Sequence, residues 1–157
     1  MKIFIAADHA GFGMKSKLIP YLTGLGYEVV DKGAYEYNEE DDFPDFIPGV
    51  AKEVSLHPNE VKGIVLGGSG QGEAMLANRY KDVRAAVYYG PATSIVEDPQ
   101  SILTLSRSHN DGNILSLGAR FISEDAALAA VKEWLETPFS GDERHQRRIN
   151  KMDRMHE

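Results

Sequence analysis

The chain has 157 residues, 42% of them hydrophobic and 26% charged, with a formal charge of −7 and a pI near 5.2. That balance fits one soluble globular domain with a sizeable core, and it excludes general affinity for nucleic-acid backbones or anionic membranes. With no cysteine, the chain has no disulfide framework, thiolate nucleophile or cysteine metal site, which suits a cytoplasmic protein.

In chain order, Lys2-Ile3-Phe4-Ile5-Ala6-Ala7 is a short apolar run that reads as a buried strand with Asp8-His9 at its carboxyl end. It reaches those polar residues too soon to be a secretory signal, and no apolar run is long enough to span a bilayer. Phe12, Met14, Leu18, Leu22 and Leu25 then recur at helical spacing up to Gly24-Leu25-Gly26, with Pro20 expected to kink or shorten the helix. A second strand covers Tyr27 to Asp31. The acidic stretch from Ala34 to Asp45 reads as a loop before a helix over Phe46 to Leu56, with Asp42 as a candidate cap.

Gly63-Ile64-Val65-Leu66 is a third buried strand, followed by Gly67-Gly68-Ser69-Gly70-Gln71-Gly72-Glu73 and a helix over Ala74 to Arg79. Val83 to Tyr89 reads as strand four, Gly90 to Gln100 as a turn-rich loop, and Ser101 to Ser108 as a helix. Asn113 to Gly118 is strand five, and Ser123 caps a helix carrying Leu128, Val131 and Leu135. Five strand–helix alternations predict a single-domain α/β protein: a three-layer α/β/α sandwich with a five-stranded parallel Rossmann-like sheet. A polar helix over about 142–156 follows as a C-terminal arm, its narrow stripe of Ile149, Met152 and Met155 suited to packing on a second subunit. His57 and His156 read as surface residues.

The glycine loop is where chemistry is expected. It lacks the Lys-Ser or Lys-Thr of a P-loop and the spacing of a dinucleotide fingerprint. Its glycines let successive amides converge on an anion, at a helix N-terminus, with the carboxylate of Glu73 alongside. A base beside oxyanion donors points to proton abstraction next to a carbonyl. In such sheets ligands sit at the carboxyl ends of strands, so Asp8, His9, the loop and Arg120 should converge. His109-Asn110, just before strand five, is less clearly placed. Glu73 equally suits a helix's first turn on electrostatic grounds alone. His9 and His109 suit structural roles, and Arg144 and Arg148 suit a solvated surface.

Together these segments resemble the ribose-5-phosphate isomerase B family, which includes galactose-6-phosphate isomerase subunits. The resemblance runs nearly end to end: Ala7-Asp8-His9-Ala10-Gly11, Asp42-Phe43-Pro44, the glycine loop through Glu73, Arg107-Ser108-His109-Asn110, Leu117-Gly118-Ala119-Arg120 and Arg144-His145-Gln146-Arg147-Arg148. One branch of that family carries a cysteine base where this chain has Gly67; the other has a glutamate after the loop, the pattern seen here.

The resemblance implies Glu73 as base, Ser69 and the loop residues Gly68, Gly70, Gln71 and Gly72 around the sugar oxygens, and His109 with Asp8 in ring opening. It implies phosphate contacts from His9, Arg120, Arg144 and Arg148, a sugar contact from Asn110, and a site shared by a homodimer, with tetramers left open. The reaction is aldose–ketose isomerisation of a sugar phosphate through an enediolate, without metal or organic cofactor. The pentose pair is expected, with allose or galactose 6-phosphate as alternative substrates and a non-catalytic sugar-phosphate-binding subunit as a further alternative. Residues 90–100 form a longer segment than the family pattern, placed to reshape the sugar pocket.

Overall fold

The structure is a computed structural model and describes residues 1–156. The side chain of His156, expected at the surface, lies outside the described residues. Five parallel strands run in the order β2-β1-β3-β5-β4: β1 Lys2–Ala7, β2 Glu28–Asp31, β3 Val61–Gly67, β4 Ala85–Tyr88 and β5 Ile114–Gly118. Each strand alternates between two cores. Ile3, Ile5 and Ala7 of β1 face a layer formed by α1 His9–Gly24, α4 Ile102–Ser108 and α5 Glu124–Glu136. Phe4 and Ala6 face α2 Ile47–Leu56 and α3 Gln71–Ala77. The expected three-layer sandwich is therefore present, and burial of both sheet faces explains its continuous apolar strands.

Several polar residues inside the sandwich are paired. Lys15, 2% exposed, donates to Asp31 Oδ1 at 2.7 Å and to the Ala34 carbonyl, and Trp134 Nε1 donates to Ser106 Oγ at 3.1 Å. Helix α1 runs unbroken through Pro20, contrary to expectation. Ser16 and Pro20 lie on the exposed face, where the carbonyl that proline leaves unbonded can meet water. Its N-terminal turn lies so close to β3 that a Cβ at Gly11 would stand 2.5 Å from Leu66 Cβ, which brings Asp8 and His9 against the exit of β3.

Ser101 and Ser123 cap α4 and α5 through Thr104 N at 3.1 Å and Ala126 N at 3.2 Å. Asp42 is not the expected cap: it precedes a short 3-10 turn, Phe43–Asp45, and makes no capping bond. Residues 90–100 fold back on themselves after β4, with Ile102 N on the Ala92 carbonyl and Ser94 N on the Gln100 carbonyl, both at 2.9 Å. The last helix, α6 Glu143–Asp153, turns His145 and Ile149 inward while Met152 and Met155 stay exposed. Among the described residues, no helix is long and apolar enough to cross a membrane.

Candidate active site

At the carboxyl edge, β1 ends in Asp8, which caps α1: Oδ1 accepts from Ala10 N at 3.0 Å and Gly11 N at 3.2 Å. His9 is the first helical residue. Its backbone N–H donates to Asp41 Oδ1 at 2.9 Å and its ring Nδ1 lies 2.8 Å from the same oxygen. Since an ionised carboxylate only accepts, Nδ1 carries the proton. The hydrogen bond from Asp41 raises the His9 pKa against the opposing effect of burial, and the charge of Asp8 adds to the rise. His9 therefore stays cationic to higher pH than an ordinary histidine, a state suited to holding an anion.

Raised folded-state pKa places this benefit at lower pH, with loss as pH rises through that value. Asp41→Asn is expected to move the loss downward. The KM for a sugar phosphate should rise about fivefold as pH rises through the His9 pKa, the scale of one weakened charge-assisted hydrogen bond, and the rise should come at lower pH in the variant than in the native chain. Identical pH profiles of KM would refute the role of Asp41.

Loop residues 67–73 leave β3 beside this pair. Ala119 N and Arg120 N donate to the Gly67 and Gly68 carbonyls at 2.9 and 3.1 Å, which holds Arg120 over the loop. A Cβ at Gly68 would meet the Arg120 guanidinium at 3.5 Å. Gly70 takes φ 76°, and its carbonyl accepts from Ser116 Oγ at 2.6 Å; Ser69 Oγ accepts from Gln71 N at 3.3 Å. The Phe43 ring packs against Gly72. Among the described residues, no acceptor within the chain takes the amide protons of Gly68, Ser69 or Gly70, so they remain available to an oxyanion.

Glu73, 4% exposed, folds back under Gly67. Burial raises its carboxyl pKa, its own backbone N–H pulls the other way, and the charge of Asp8 adds to the rise. The result is a more basic carboxylate beside unpaired amides, the pairing required to remove a carbon-bound proton and hold the resulting oxyanion. Asp8, His9 and Asp41 also bring three potential metal-ligand atoms within 4.8 Å of one another. His9 Nδ1 is turned to Asp41 and Asp8 Oδ1 to the helix amides, which suits orientation of His9 better than coordination of a cation.

The second group of expected residues lies at the opposite edge. His109 ends α4 immediately before the turn that feeds β5, and the buried Arg107 braces this turn by donating to Asp111 Oδ1 at 2.7 Å and the Gly112 carbonyl at 2.6 Å. The His109 ring rests on His145, centroids 4.2 Å apart, and Arg144 Nε donates to His145 Nε2 at 3.2 Å. Asn110, Arg144 and Arg148 are exposed around it.

Five residues of β5, at ~3.3 Å each, put roughly 16 Å between this group and the glycine loop of the same chain. The chain thus brings together Asp8, His9, Ser69, Glu73 and Arg120, and separately His109, Asn110, Arg144 and Arg148. Asp41 and His145 were not singled out for a role in the sequence. Asp41 sits in an acidic run with no periodicity, and His145 in a helix that reads as charged.

A parallel sheet with a buried carboxylate beside free amides at its carboxyl edge is the arrangement of a Rossmann-like enzyme of the proton-transferring isomerase class. The chain belongs to the ribose/galactose isomerase family, whose model matches residues 3–152. It is 36% identical over 160 residues to ribose-5-phosphate isomerase B of Mycobacterium tuberculosis H37Rv, covering 100% of this chain and 93% of that one. It is 35% identical over 149 residues to the Escherichia coli K12 enzyme of the same name, covering 94% and 91% of the two chains. The crystal structure of Mycoplasma genitalium ribose-5-phosphate isomerase B with bound ribulose-5-phosphate superposes with a TM-score of 0.89 at 35% identity, covering 99% of this chain and 95% of that one.

Proposed function

We propose that the chain interconverts ribose 5-phosphate and ribulose 5-phosphate, as a cytoplasmic homodimer whose sites each draw residues from two copies. The observation that carries this is the carboxylate of Glu73, buried under Gly67 beside unpaired amides. Glu73 takes the C2 proton of the open-chain aldose and returns it to C1. The loop amides hold the enediolate oxygen, an effect of about 3 kcal/mol per donor, and Ser69 passes a proton between the two oxygens.

His9 and Arg120 bind phosphate from one copy, Arg144 and Arg148 from the other. Asp8, whose second oxygen is free of the helix cap, acts with the second copy's His109 on the ring, and Asn110 contacts the sugar. This division is supported by the opposite-edge placement of the two groups. A two-fold pair meets the same requirement twice, because each copy lends the other what its own site lacks.

The test is steady-state isomerisation by the purified chain. Ribose 5-phosphate should turn over in preference to allose 6-phosphate and galactose 6-phosphate; a preference for a hexose would overturn the pentose reading and give residues 90–100 a role in pocket size. Mixing inactive Glu73→Gln chains with chains that lose both partner arginines, Arg144→Ala with Arg148→Ala, should with subunit exchange restore about a quarter of the native activity, because half the dimers are mixed and each has one intact site. No recovery despite exchange would overturn the two-copy site.

A further inference from the structure

The roles given to His109 and Arg144 meet at one buried side chain that the reaction itself does not use. His145 is 2% exposed and is touched from three directions. Arg144 Nε lies 3.2 Å from Nε2, and a guanidinium N–H can only donate, so Nε2 must be bare and accept. The proton of the neutral ring then sits on Nδ1, which faces Ser140 Oγ at 2.8 Å. Ser140 Oγ also accepts from Asp142 N at 3.2 Å, and Ser140 N donates to the Ser108 carbonyl at 3.0 Å, one residue before His109. On its face the ring meets His109, with centroids 4.2 Å apart and planes inclined by 32°. Burial, then the neighbouring His109 and Arg144, lower the His145 pKa and favour the neutral form its hydrogen bonds demand, against the Asp142 carboxylate 3.7 Å away.

We infer that His145 is a positioning residue that locks the imidazole of His109 and the guanidinium of Arg144 into one rigid unit, so that the ring-opening and phosphate-holding groups enter the partner site in a fixed relation. A residue that only filled space would need neither a defined tautomer nor an acceptor aimed at Arg144. Here the single acceptor serves Arg144, the single donor reaches the segment bonded beside His109, and the ring face supports His109. Each half of this lock uses a different part of the side chain, so the halves are separable by substitution.

His145→Phe keeps a flat ring against His109 and withdraws the acceptor from Arg144. His145→Gln keeps an acceptor for Arg144 and removes the ring. Both are compared with the native chain for kcat on ribose 5-phosphate and for inhibition by inorganic phosphate, which reads the phosphate contacts alone. Each variant also alters the Nδ1 contact with Ser140, so the Phe variant should weaken phosphate inhibition about tenfold with kcat within about threefold, and the Gln variant should lower kcat about tenfold with phosphate inhibition within about threefold.

Because the inference rests on the roles proposed for His109 and Arg144, His109→Ala and Arg144→Ala serve as references for the two constants. If these references behave as assigned and neither His145 variant separates the constants, the inference fails alone. If the references leave both constants unchanged, the inference falls together with the reading beneath it. Should the Phe variant not fold, Ser140→Ala removes the Nδ1 contact together with the Asp142 N contact and is expected to shift both constants about threefold. Native values in that variant would overturn the lock.

Discussion

Glu73→Gln should reduce kcat by ~10²–10⁴-fold, the range lost with a positioned general base. The KM for ribose 5-phosphate should stay within about threefold, since no phosphate contact is touched. The amide is nearly the same size as the carboxyl, so it fills the space under Gly67 without the ability to accept a carbon-bound proton. The same substitution should not destabilise the chain at neutral pH, and this separates a catalytic carboxylate from a structural one. The folded-state pKa of Glu73 is raised, chiefly by burial. The carboxyl's contribution to stability is therefore present below its unfolded value of about 4.3 and is lost as pH rises through the folded value. Glutamine has no such loss, so the unfolding midpoint of the variant at pH 7 should equal or exceed the native one while turnover collapses. A variant that keeps native turnover, or one that loses stability in step with activity, would remove Glu73 from the base role.

How far this site could be read beforehand depends on the range of each interaction. The buried strands, the glycine loop and the caps at Ser101 and Ser123 are local features, written in runs of apolar residues and in residue types a few positions apart. The convergence of Asp8, His9, the loop and Arg120 followed from strand direction alone, because all four leave carboxyl ends of parallel strands. Asp41 escaped notice because its bond to His9 spans 32 residues and depends on how the irregular acidic loop folds back. The neighbouring Asp42, which stood in a better position to cap, makes no capping bond. The inward turn of His145 was equally hidden, since helical spacing alone does not tell which face of a polar helix will dock. The resemblance supplied the rest of the residue set, but only the topology shows that a single chain keeps His109 and Arg144 away from Glu73.

Gly67→Ala should be as damaging to turnover as loss of Glu73 itself, and for a steric reason. A Cβ at position 67 would stand 1.7 Å from Glu73 Oε1, 2.2 Å from Cδ and 2.8 Å from Oε2, so the methyl and the carboxyl cannot share the space. Gly67 closes β3, pairing with Gly118 of β5, and the backbone cannot retreat without breaking the ladder. The carboxylate must leave, taking the base from the site, and kcat should fall by ~10²–10⁴-fold. Because the methyl meets the movable end of a side chain and not backbone, the stability cost should lie at the low end of buried overpacking, about 1 kcal/mol. That cost depends on the size of residue 73: in a Glu73→Ala background the methyl at 67 finds the space empty, and its penalty should shrink to a few tenths of a kcal/mol. A double-mutant cycle on unfolding free energy would therefore show strong coupling between the two positions, whereas additive effects would place the Glu73 side chain somewhere other than under Gly67. A side chain at 67 and the carboxyl of Glu73 compete for one volume beside the amides, so the buried glutamate requires glycine at the strand end.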